Sequence, residues 1–149
     1  MLAAACAGFL LAVLWMDLMF DVQVLRHRDA VLPEPVLASI AAYYRRATTT
    51  SRPMGHLIAI VMLVLLAVST MDALHTRTTL SWSKLALCAT PIVLALTRIV
   101  PSAIRLGRRA DSPELQSALA RSICREHLFC FGALIVFLAL DFASAASAP

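Results

Sequence analysis

The chain has 149 residues, of which 60% are hydrophobic and only 15% charged, and its mean hydropathy is +0.81. A composition this apolar excludes an ordinary soluble domain and indicates a protein that folds in a lipid bilayer. The net charge of +4 suits contact with anionic lipid headgroups, whereas nothing beyond that charge points to nucleic acid, so no nucleic-acid partner is expected. We therefore predict a single integral membrane domain over residues 1–149.

Four long apolar runs organise the sequence. A helix that crosses the hydrocarbon core needs about 20 apolar residues, and each run approaches that length. The first run lacks the basic segment and the small-residue cleavage site of a signal peptide, so it is interpreted as a membrane span. The sequence thus predicts an all-α, four-span transmembrane helix bundle, with spans at residues 2–22, 55–74, 81–103 and 127–146.

The connection between the first two spans is too long for a bare loop. Pro33 and Pro35 suit the first turn of a helix, and the apolar residues after them keep a helical spacing. These features predict an additional amphipathic helix over residues 34–47, either interfacial or cytoplasmic. If the helix is interfacial, the residues at its end are candidates for lipid contact; they are Tyr43, Tyr44, Arg45 and Arg46.

The last two spans carry their own signals. Pro91 and Pro101 are expected to bend the third span, because proline removes a backbone hydrogen bond and crowds the preceding turn. Asp111 or Ser112 can cap a helix whose first position is Pro113. Apolar residues then continue at helical spacing into the fourth span, which predicts one long helix from about residue 113 to about residue 143.

The distribution of arginine predicts the orientation. Arginines crowd the first connection and the third, while the second connection and the two termini carry few basic residues or none. By the positive-inside rule both basic loops face the cytoplasm and both termini lie outside. Usage rich in alanine and arginine favours a bacterial inner membrane, and an organellar membrane is the alternative.

Charged residues inside the apolar runs are the sharpest clue to a site. A carboxylate or guanidinium in hydrocarbon costs about 2.5–3.5 kcal/mol on insertion scales, so it needs a partner or a purpose. Alternating spans bring Asp17, Asp21 and Arg98 to the same membrane side, which predicts an intramembrane polar cluster. Within it we expect Asp17 to pair with Arg98 and Asp21 to lie nearer the headgroups. On the opposite side, Lys84 or Arg77 can meet Asp141.

Histidine and cysteine raise the alternative of a bound cofactor. His56, Glu126 and His127 begin two different spans on one membrane side, a disposition that a b-type haem or a metal ion can use. Both histidines lie at the membrane border, however, where a polar side chain is ordinary, and no cofactor is favoured. The four cysteines form no Cys-x-x-Cys motif and are interpreted as buried structural thiols; they are Cys6, Cys88, Cys124 and Cys130.

The sequence contains no recognised reaction motif, such as a glycine-rich phosphate loop, His-Glu-x-x-His or Gly-x-Ser-x-Gly. The leading hypothesis is therefore a non-catalytic accessory or scaffold subunit, with the bilayer and a second membrane protein or further copies of itself as partners. One alternative is an oligomeric transporter, channel or proton-conducting module that uses Asp17, Asp21 and Arg98. Another is a membrane enzyme that holds haem or a metal through His56 and His127.

Overall fold

The computed structural model describes residues 1–50 and 52–146, which fold into helices joined by short connections. The predicted fold class is confirmed, including the shorter helix between the first two spans. The helices are α1 (Leu2–Asp21), α2 (Glu34–Arg45), α3 (Arg52–Thr76), α4 (Thr79–Leu94), α5 (Val100–Arg108) and α6 (Pro113–Ala146).

Four continuous helical segments are long and apolar enough to cross a membrane. The first joins α1 to a 3₁₀ turn at Val22–Arg26, and the third joins α4 to α5 through a π turn at Ala95–Ile99. The predicted long fourth helix is confirmed by α6, which starts at Pro113 as expected. The four segments, each of which contains one predicted span, are Leu2–Arg26, Pro53–Thr76, Thr79–Arg108 and Pro113–Ala146.

The spans form a four-membered ring. Helix α1 packs against α3 and α6, and α4 packs against the same two helices. We call the end that carries the arginine-rich connections the basic end, and the opposite end, where Arg77 and Thr78 join α3 to α4, the hairpin end. One buried cluster, which includes Ile40 and Ile123, fills the basic end, and a second, which includes Leu65 and Phe137, fills the hairpin end.

The apolar exterior of the bundle shows how deep the buried polar groups lie. Exposed apolar side chains follow the first span from Leu2 to Leu25, a rise of about 35 Å. Those of the third span run from Leu80 to Val100, about 30 Å, and are interrupted near the basic end by Arg98, whose side chain is 64% exposed. Both lengths cover the hydrocarbon core of a bilayer, which is about 30 Å thick. Because the exterior of the first span remains apolar past Asp17 and Asp21, these two carboxylates lie inside the bundle at membrane depth.

Helices α2 and α5 lie side by side across the basic end, and we call this pair the α2–α5 layer. Gly107 of α5 touches the backbone of α2 so closely that an added Cβ would lie 2.9 Å from the Arg45 nitrogen. The layer is also tied down at its edges. Arg109 of the turn after α5 forms an ion pair of 2.8 Å with Glu34, and the Leu32 amide donates to Ser117 Oγ of α6 at 2.9 Å.

We expect Gly107→Ala to destabilise the protein by about 1–3 kcal/mol, because the new methyl group must push α2 away from α5. Gly132→Ala is the matched control, since a Cβ there has no neighbour within 4 Å. Both substitutions gain the same helix propensity, so the difference between them reports the clash alone. Thermal unfolding followed by circular dichroism in one detergent measures it, and equal midpoints for the two variants would contradict the close approach.

Candidate functional site: a buried aspartate, tyrosine and histidine network

Five side chains from three helices meet inside the basic end, and we call them the polar network. Helix α1 supplies Asp17 and Asp21, which share a face because they are one turn apart. Helix α2 supplies Tyr43 and Tyr44 from its last turn, and α6 supplies His127. The network thus connects two membrane spans to the short helix that precedes the second span.

The inner half of the network is sealed from solvent. Asp21 is 0% exposed, Tyr44 3% and His127 4%. The Tyr44 hydroxyl donates to Asp21 Oδ1 at 2.6 Å, and His127 Nδ1 lies 2.6 Å from Asp21 Oδ2. An ionised carboxylate can only accept, so with Asp21 ionised His127 Nδ1 is the donor of this second bond. Both oxygens of the buried carboxylate are therefore satisfied, as burial of a charged group requires.

The outer half of the network lies closer to the surface of the bundle. The Tyr43 hydroxyl donates to Asp17 Oδ1 at 2.5 Å, and the Tyr43 ring stacks on Phe20 with a centroid separation of 4.2 Å. On the other side of the same carboxylate, Asp17 Oδ2 lies 3.8 Å from His127 Nε2. The imidazole ring is consequently flanked by carboxylates at both of its nitrogens.

Burial and the neighbouring carboxylates act together on the two phenols. Burial raises the pKa of Tyr43 above its ordinary value of 10.0, and Asp17 raises it further. The pKa of Tyr44 is raised in the same direction, first by burial and then by Asp21. Both hydroxyls therefore stay protonated in the folded protein and act as donors. Because the pKa of each phenol is higher in the folded chain than in the unfolded chain, the two tyrosines stabilise the fold at pH values below the unfolded pKa, near 10. That contribution is lost as the pH rises further.

This shift predicts the spectroscopic titration of the protein, because Tyr43 and Tyr44 are the two tyrosines of the chain. In the folded protein we expect no tyrosinate absorbance as the pH rises through about 10, the ordinary pKa of a phenol. The same chain unfolded in detergent and denaturant should titrate near that value. Ultraviolet difference spectra, with circular dichroism to show that the fold persists, measure this. Titration of either phenol near pH 10 in the folded chain would contradict the network.

Arg98 has a different partner from the one predicted. Its guanidinium lies 3.2 Å from Glu126 Oε1 of α6, which also accepts from Ser122 Oγ at 3.1 Å. The predicted Asp17–Arg98 pair is wrong because Arg98 belongs to the segment that packs against α6, so the nearest carboxylate is that of Glu126. Asp21 ends α1 one turn beyond Asp17, so its position nearer the headgroups stays a prediction, while Tyr44 covers it within the bundle.

The residues considered for haem or metal do not come together as a ligand set. His56 is exposed at the start of α3, whereas both nitrogens of the buried His127 face carboxylates. This arrangement does not fit two axial ligands of a shared haem. Within residues 1–50 and 52–146, no group of three or more histidine, cysteine, aspartate or glutamate side chains is placed to hold a metal ion. The four cysteines are buried free thiols.

The tyrosines were predicted to contact lipid, and for Tyr44 that prediction is wrong because its side chain is buried. Arg45 and Arg46 are exposed, so their contact with lipid stays a prediction. The sequence did hold a signal for the true partners of the aspartates. Two adjacent phenols end a helix on the same membrane side as Asp17 and Asp21, and a phenol is a neutral donor that a buried carboxylate can use.

A second polar group lies at the hairpin end. Lys84 of α4 lies 3.1 Å from Asp72 of α3 and 3.2 Å from Asp141 of α6, which confirms the expected contact with Asp141. A cavity of about 180 Å³ opens beside these three residues, and Ser69 and Phe137 also line it. The ion pairs join three spans at the end opposite the polar network.

The comparisons with known proteins leave the chain without a named relative. No protein-family model, no curated protein and no solved structure matches it.

Proposed function

We propose that the protein is a non-catalytic accessory or scaffold subunit of a membrane complex. The observation that supports this best is the closed hydrogen bonding of Asp21, whose two oxygens are taken by Tyr44 and His127 in a sealed interior. Groups that satisfy one another in this way stabilise an arrangement of helices. Here the arrangement is the docking of α2 onto α1 and α6.

The docked α2–α5 layer gives the proposed scaffold its surface. Arginines point outward from it, while its inward side chains, Leu37 and Ile40 among them, are buried against the bundle. A rigid, positively charged layer above a small bundle suits contact with the acidic surface of a partner protein, because complementary charge steers association and fixes orientation. The exposed arginines of the layer are Arg45, Arg46, Arg105 and Arg108.

Native purification in a mild detergent tests the scaffold proposal. We expect the wild-type chain to carry a stoichiometric membrane-protein partner or further copies of itself. Tyr44→Phe should lower partner occupancy, because a buried carboxylate oxygen that loses its donor costs about 1–3 kcal/mol and loosens α2. Tyr43→Phe is the matched control, since its partner Asp17 is less buried than Asp21, with 16% against 0% of the side chain exposed.

Native mass spectrometry gives both the stoichiometry and the occupancy. A wild-type preparation that contains only monomer would overturn the scaffold proposal. Equal occupancy in the two variants would instead place the partner away from the α2–α5 layer.

Proton movement is a second candidate, and the observation that favours it is the position of His127 between two carboxylates. A proton on the ring can be passed towards Asp17 at Nε2 or towards Asp21 at Nδ1. The partly exposed Asp17 would be the outer station of such a path, and the buried Asp21 the inner one.

For this candidate we expect Asp17→Asn to abolish proton flux in proteoliposomes under an imposed pH gradient, because the amide cannot take up the proton. Asp111→Asn, which removes a partly buried carboxylate that pairs with Arg105 outside the polar network, should leave the flux unchanged. A fluorescent pH indicator inside the vesicles measures the flux. If the wild type shows no flux above empty vesicles, or Asp17→Asn retains it, the candidate fails.

A further inference from the structure

A groove runs between α2 and the end of α5, on the outer side of the α2–α5 layer. Its volume is about 510 Å³. One wall of the groove consists of residues at one-turn spacing along α2 and its C-cap. They are charged at the ends, at Glu34 and Arg46, and small in the middle, at Ala38 and Ala42. The remaining lining residues are Ala41, Arg45, Gly107 and Arg109.

The charges of the groove are unequally paired. At one end Arg109 makes two contacts of 2.8 Å with the Glu34 carboxylate, which neutralises both groups. At the other end Arg45 and Arg46 are exposed, and within the described residues neither has a carboxylate partner. The groove therefore presents two uncompensated guanidinium groups beside a floor of small apolar side chains.

The position of the groove matches the headgroup layer of a membrane. Helix α5 continues the third span, whose exposed surface carries its first charged side chain at Arg98 and its last large apolar one at Val100. Gly107 lies about two turns beyond Val100, a rise of about 10 Å, which is comparable to the thickness of the headgroup region. On the other wall, Arg46 leads into α3, whose exposed apolar surface begins at Met54. Both walls thus meet the bilayer where headgroups lie.

We propose that this groove is a specific binding site for the headgroup of an anionic phospholipid, with its phosphate held by Arg45 and Arg46 and its glycerol backbone over Ala38 and Ala42. Guanidinium groups are suited to phosphate because their planar donors can bind two oxygens at once. The close approach of Gly107 to the Arg45 backbone holds the two walls of the groove together at this point. This inference goes beyond the scaffold proposal: the lipid occupies Arg45 and Arg46, and the exposed Arg105 and Arg108 remain for a protein partner.

Two kinds of variant separate a built site from diffuse attraction. Ala42→Leu fills the groove and leaves every charge in place, and Arg45→Gln with Arg46→Gln removes the charge and leaves the floor. Arg26→Gln with Arg28→Gln is the matched control, because these exposed arginines lie at the same end and outside the groove. Circular dichroism establishes that each variant is folded, and Ala42→Leu keeps the test decisive if the double arginine variant is not.

The measurement is native mass spectrometry of the delipidated full-length chain titrated with phosphatidylglycerol or phosphatidylcholine. We expect the wild type and the control to bind one phosphatidylglycerol in preference to phosphatidylcholine by roughly thirtyfold, the size expected of two arginines at a membrane surface. Both groove variants should lose that preference.

Four outcomes would overturn the proposal. Ala42→Leu that keeps the preference shows that the groove is not the site, and a control that loses it as fully as the groove variants shows diffuse attraction. Inorganic phosphate that displaces the lipid completely at millimolar concentration shows that the ligand is free phosphate. Likewise, an acidic helical peptide that binds the wild-type groove while phosphatidylglycerol does not would assign the surface to a protein.

Discussion

The burial of the Asp21 carboxylate at membrane depth is the constraint on which the basic end of this protein depends. Neither water nor lipid can solvate an anion there, so its donors must come from the chain. Tyr44 and His127 supply them, and to do so α2 must fold back from the end of α1 onto the bundle. The apolar contacts of Leu37 and Ile40, and the crossing of Gly107 over Arg45, follow once α2 is held in that place.

The two polar groups of the bundle form layers at opposite ends of an apolar slab. Along α6 the rise from His127 to Asp141 is about 21 Å, less than the hydrocarbon thickness of about 30 Å. The layers can lie within the membrane because their charges are turned towards neighbouring helices, while the exterior of the first span stays apolar over its whole length. Each layer ties α6 to two helices that do not adjoin it in sequence, so the slab is held together at both faces.

The parts of this architecture that sequence could predict are those encoded locally. Apolar runs predicted the spans, Pro33 and Pro35 predicted α2, and Pro113 predicted the start of α6. The partner of Arg98 could not be predicted, because it depends on which helices are neighbours in the ring. No local sequence pattern encodes the order of the spans around that ring. For the same reason the sequence predicted that Tyr44 lies at the membrane interface, whereas its packing against α1 and α6 buries it.

The π turn at Ala95–Ile99 sets the rotational phase of the third span. A π turn accommodates one residue more than an α-helical turn, which offsets the side chains beyond it by about 100° relative to an uninterrupted helix. The face that α5 presents to α2, including Gly107, is therefore determined by backbone geometry in the turns before it. The docking of α2 onto α5 is therefore coupled to the extra residue of the π turn, which lies deeper in the third span.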